Sequence, residues 1–106
     1  MQYGIPVAIG SDGPPDPYLN IMLSVMNPDN PAEALNMEQT IMAYTMGSAY
    51  AEFMENRKGS ISNGKFADMT VVSDDIFTMA PPDLIKAHTI MTIIDGRIVF
   101  DKKELN

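Results

Sequence analysis

Residues 5–13 read Ile5-Pro6-Val7-Ala8-Ile9-Gly10-Ser11-Asp12-Gly13, and two prolines, Pro14 and Pro15, follow at once. The run 5–9 is apolar with no polar alternation, the pattern of a parallel strand covered on both faces. Such a strand needs neighbours on either side, and no other stretch of this chain has the same character. The expectation is the tail of a larger α/β enzyme. Asp12 falls at the strand's carboxyl end, where α/β folds place their chemistry. Its neighbours Ser11 and Gly13 are small, so a metal-bound water could approach the carboxylate closely. The competing reading makes Asp12 a turn cap that bonds backbone amides ahead of the prolines.

Working outward, residues 13–17 hold three prolines and must be extended or turning. Tyr18, Ile21, Met22, Val25 and Met26 then recur at spacings of three and four, which predicts a short helix over 18–26. Pro31 is placed to open a further helical turn. Asn36 with Gln39 is a capping pair, and behind it Met37, Ile41, Tyr44, Thr45, Ser48, Ala49 and Phe53 keep helical spacing to about Met54. Gly47 and Ser48 weaken the middle, so two helical pieces or one kinked helix are expected, with Gly59 as the stop after Arg57 and Lys58.

Beyond Gly59 the character changes to hairpins. Asn63-Gly64 is a tight-turn signal between 60–62 and Phe66 onward. Residues 69–72 read as a strand closed by Ser73, Asp74 and Asp75, and Pro81, Pro82 and Asp83 start a short helical turn. Residues 88–94 read as a strand, Asp95-Gly96 as a second hairpin turn, and 97–100 as the returning strand. The shift divides a strand-and-helix part, 1–58, from a β-rich part, 59–106.

Composition narrows the function. Fourteen acidic against seven basic side chains in 106 residues give a net charge of −7, so nucleic acid and anionic membrane surfaces are poor partners. No cysteine is present, which removes thiolate ligands and thiol nucleophiles and fits a reducing, cytoplasmic setting. Neither a signal peptide nor a membrane span is evident. The ten methionines read as adaptable core filler. A self-contained zinc site needs three or four ligands, yet His88 is the single histidine, and it reads as structural. Ser11 lacks a nucleophile-elbow sequence. Gly10 to Gly13 matches neither the dinucleotide nor the phosphate-loop spacing, and Asp12, Asp16, Asp29 and Asn30 do not fit a calcium loop. Asp68, Asp74 and Asp75 read as turn formers.

Several stretches together resemble one family, the metal-dependent amidohydrolases of the amidohydrolase family 3 type. They are residues 4–12, ending Ile9-Gly10-Ser11-Asp12; 43–51, containing Thr45-Met46-Gly47-Ser48; Lys58-Gly59-Ser60-Ile61; 64–72, opening Gly64-Lys65-Phe66-Ala67-Asp68; and 92–99, containing Ile94-Asp95-Gly96-Arg97. The resemblance implies an α/β fragment: the last strand and helices of a TIM-type barrel, then the β-hairpins of a small composite β-sandwich domain. It implies that Asp12 matches the family acid that binds metal or takes a proton from the metal-bound water. It also implies zinc or another divalent metal and a small amide-type substrate for the full-length enzyme. The family's histidine ligands are absent from this sequence, so no metal and no turnover are expected for the chain alone. The partner would be the remainder of a parent hydrolase or a second copy, and the competing reading is a non-enzymatic self-associating or binding module.

Overall fold

The computed structural model describes residues 7–9 and 16–103. Helix α1, Pro17–Met26, begins where Asp16 accepts hydrogen bonds from the backbone N–H groups of Tyr18 (3.0 Å) and Leu19 (3.3 Å). Pro17 occupies the first helical position, where no N–H is required. The helix ends on Asn27 in the left-handed region, a residue that tolerates that geometry. A single turn at Pro31–Glu33 follows.

Helix α2, Met37–Met42, carries the expected capping box. Gln39 N–H donates to Asn36 Oδ1 at 2.7 Å, and Asn36 N–H donates to Gln39 Oε1 at 3.0 Å. The backbone then widens into a π turn at Ala43–Gly47 and runs on as α3, Ser48–Ala51, without leaving helical dihedrals. The expected interruption near Gly47 and Ser48 is thus a wide turn. The expected stop at Gly59 is corrected. Phe53 N–H donates to Tyr50 O (3.0 Å) and Met54 N–H to Ala49 O (2.8 Å), while Phe53 takes φ 63°. That is a Schellman ending with phenylalanine where glycine is usual.

Three strands, β1 (Met69–Val72), β2 (Thr89–Ile94) and β3 (Arg97–Asp101), form one antiparallel sheet in sequence order. Asp95 and Gly96, with φ of 50° and 76°, make the tight β2–β3 turn read from the sequence. At Asn63-Gly64 there is a turn, closed by Lys65 N–H to Ser62 O at 3.2 Å, but no strands flank it. Between β1 and β2 lies the helical turn Pro81–Lys86, the one predicted from its prolines.

The core joins helix and turn. Tyr18 and Ile21 of α1 pack with Ile76, Leu84 and Ala87, and Met22, Met37 and Met79 fill in around them, as expected of unbranched side chains. Tyr18 Oη and Thr89 Oγ1 share a hydrogen bond of 2.7 Å between α1 and β2.

Of the apolar run 5–9, residues 7–9 are among those described. Over 7–9 the backbone pairs with no strand, Val7 and Ile9 are half-buried, and Ala8 is exposed. A parallel strand is defined by neighbours, and the three strands of this sheet are paired among themselves. Ile9 N–H donates instead to Ala43 O at 3.2 Å.

Candidate functional site

Asp12, the sequence candidate, lies outside the described residues, as does Ser11. Both described flanks are fixed. Downstream, Asp16 is the cap of α1. Upstream, the segment 7–9 is seated on the wide turn. The Ala43 carbonyl accepts from Ile9 N–H, and Ser48 Oγ donates to Ala43 O at 3.1 Å and lies 3.4 Å from Ile9 O. Both donors to that carbonyl lie outside the helical backbone ladder, and π turns recur where helices are adapted to functional sites. Gly47 completes the seat, because a Cβ there would run into the carbonyl oxygen of Val7. Gly59, with φ 102°, is also a close approach: a Cβ would come within 2.8 Å of Met46 Sδ and 3.0 Å of Ala49 Cβ. The loop after α3 therefore closes on the same turn.

Gly47 and Ser48 entered the sequence reading as weak helix formers. Their role as a seat was signalled only by small residues falling together inside an otherwise apolar helical pattern.

The remaining candidates are structural. Asp68 Oδ1 accepts from Asp95 N–H at 2.8 Å, and Gly96 N–H donates to Ala67 O at 3.0 Å, so Asp68 braces the distant β2–β3 turn. Asp75 Oδ1 accepts from Phe77 N–H (3.0 Å), and Asp74 accepts from Ser73 Oγ (2.7 Å). His88 is half-buried ahead of β2, and its N–H donates to Ser73 Oγ at 3.0 Å. Among the described residues no three of His, Cys, Asp and Glu converge to hold a metal ion. Asp101 is held below the ordinary carboxylate range, chiefly by the Lys103 backbone N–H at 2.8 Å. An open groove of about 430 Å³ is lined by Ile61, Ser62, Asn63, Lys65, Phe66, Ala67 and Met69. Its Lys65 ammonium is turned to Ser60 Oγ at 2.9 Å, and the groove contains neither a carboxylate nor an imidazole.

Among the described residues no helix is long and apolar enough to cross a membrane.

Residues 1–100 match the family model described as "Amidohydrolase family". The amidohydrolase-named protein YtcJ of Bacillus subtilis is 36% identical over 111 residues, an overlap covering 93% of this chain and 21% of YtcJ. An imidazolonepropionase of Kosmotoga olearia is 32% identical over 106 residues, covering 94% of this chain and 25% of its own length. A solved adenosine deaminase from Xanthomonas campestris, with bound zinc, superimposes with a TM-score of 0.75 at 27% identity, covering 99% of this chain and 28% of that one. The chain spans about a fifth to a quarter of the length of these two curated relatives.

Proposed function

The chain belongs to the amidohydrolase family, and from that premise we propose that it forms the carboxyl-terminal portion of a metal-dependent hydrolase acting on carbon–nitrogen bonds other than peptides. In this reading residues 1–58 supply the last strand and helices of a TIM-type barrel, and 59–106 supply the β-rich part of a composite sandwich domain. The observation that carries it is the match of nearly the whole chain to a family whose members here are four to five times longer. The lack of cysteine supports a reducing compartment, the cytoplasm.

The chain's chemical contribution is Asp12. It follows Ile9 by three residues, and Ile9 is tied through its backbone to the wide turn of the helix. As the family acid that Asp12 matches, its carboxylate accepts a proton from the attacking water and returns it to the departing amine of a small amide-type substrate. Zinc accompanies the adenosine deaminase relative, and a bound divalent metal would lower the pKa of that water. The described residues form no ligand set of their own, so further ligands would come from the rest of the parent enzyme. The 106-residue chain alone turns over nothing.

Asp12→Asn tests the assignment in the full-length hydrolase that carries this segment. The change keeps shape and removes basicity. Turnover at saturating zinc is expected to fall by about a hundredfold to ten-thousandfold, with little change in melting temperature. Near-normal turnover combined with a large loss of melting temperature would instead make Asp12 a turn cap and end the catalytic reading.

A further inference from the structure

The groove of about 430 Å³ beside Lys65 lies within the size range of small-ligand sites. Ile61, Phe66, Ala67 and Met69 give it apolar walls, and Ser62, Asn63 and Lys65 give it polar ones. Lys65 is half-buried, and its ammonium donates to Ser60 Oγ at 2.9 Å and to the thioether of Met46 at 3.5 Å. A thioether is a weak acceptor. The third N–H has no acceptor among the described residues. Neither Lys65 nor Arg57 forms an ion pair there, although the chain carries fourteen acidic side chains against seven basic ones. The Arg57 guanidinium stands 5.4 Å from the centre of the Phe66 ring, so a second cation borders the groove.

The charge on Lys65 also sets the direction of the hydroxyls next to it. An ammonium only donates, so Ser60 Oγ accepts from Lys65 and turns its own hydrogen away, toward its other neighbour, Ser62 Oγ, at 3.0 Å. That leaves the hydrogen of Ser62, an exposed residue on the groove wall, to point outward. Donors linked in this way polarise one another. Lys65 Nζ and Ser62 Oγ both stand against Ser60 Oγ, close enough for the two oxygens of one carboxylate to reach both.

We propose that this groove binds a small organic monocarboxylate with an apolar body. The carboxylate accepts charge-assisted hydrogen bonds from Lys65 Nζ and Ser62 Oγ, and the apolar body lies against Ile61, Phe66 and Met69. The groove contains neither a carboxylate nor an imidazole, so nothing in its wall repels the anion or competes for Lys65. Both halves of the ligand are needed. An inorganic anion leaves the apolar walls uncovered, and a neutral analogue leaves the half-buried ammonium without its counter-charge. This site does not depend on the hydrolase reading.

Titration of the whole chain with phenylacetate at low ionic strength, followed by amide chemical shifts, tests the site. Saturable shifts centred on residues 61–69 are expected, with a dissociation constant on the order of 1 mM or below. Phenylacetamide, which keeps the shape and loses the charge, and acetate and inorganic phosphate, which lack the apolar body, are each expected to bind at least about tenfold more weakly. Lys65→Gln is expected to cost at least about tenfold in affinity and Ser62→Ala about threefold or more. Lys86→Gln removes the same charge away from the groove and leaves affinity unchanged. Circular dichroism melting establishes that each variant is folded, and the comparison of acid with amide needs no variant at all. The proposal fails if phenylacetate gives no saturable shifts, if they centre elsewhere, or if the amide, acetate or phosphate binds as well as the acid. It fails equally if folded Lys65→Gln or Ser62→Ala protein binds as before, or if Lys86→Gln weakens binding as much as Lys65→Gln does.

Discussion

Thr40 sits on α2 with no exposed surface, and its hydroxyl has no hydrogen-bond partner. A buried hydroxyl without a partner costs about 1–3 kcal/mol of desolvation. Valine has nearly the same shape and carries no such group. Thr40→Val is therefore expected to stabilise the chain by about 1 kcal/mol, read as a higher urea midpoint at unchanged slope. A lower midpoint would mean that the hydroxyl is satisfied in solution. Helical spacing groups Thr45 with the apolar set and leaves Thr40 out, whereas Thr40 is the buried one and Thr45 is exposed, its hydroxyl donating to Ile41 O at 2.8 Å. The capping pair Asn36 and Gln39 was legible for the opposite reason, because both partners lie within one turn and the interaction is encoded locally. Asp68 falls between these cases. Its acidic side chain in a turn-rich stretch was readable, but its partner, Asp95 N–H, is 27 residues away.

At the level of elements, the wide turn Ala43–Gly47 is the feature to which the segment 7–9 is fastened. Gly47→Ala keeps helical backbone angles, since φ there is −61°, and in an ordinary helix alanine would be the more stable residue. Here the added methyl group meets the Val7 carbonyl. The expected outcome is a loss of about 1–3 kcal/mol in urea unfolding, against the sign that helix propensity alone gives. A gain in stability would show that segment 7–9 can leave its seat at no cost. The starts at Pro31 and Met37 were legible because Pro31 and the pair Asn36 and Gln39 announce them; the helix end was not. Glycine is the usual left-handed residue at such an end, so Gly59 drew the boundary, while the chain turned earlier on Phe53, a residue that carries no such signal. Among the described residues the segment 7–9 has no strand to pair with, since apolarity registers burial and a strand also requires a partner.

Across the whole molecule, the fully buried Leu84 lies at the centre of a cluster drawn from α1 and from the segment between β1 and β2. Leu84→Ala is expected to cost about 2–5 kcal/mol, a large fraction of the stability of a domain this size. Thermal unfolding should show a marked fall in melting temperature with the transition still single. Two separate transitions would mean that the helical and β-rich parts do not share this core. The sequence marked the change of character near Gly59, and the strands of the hairpin half appear close to where they were read. It could not show that α1 packs on the later turn, because packing between distant segments leaves no local pattern. That distance has a consequence during synthesis. Tyr18 and its partner Thr89 are 71 residues apart, and at ribosomal rates of roughly 5–20 residues per second that interval is on the order of 4–14 s. For most of it the apolar face of α1 has been made while Ile76, Leu84 and Ala87, the residues it packs against, have not, so that face is open to mispairing until they follow.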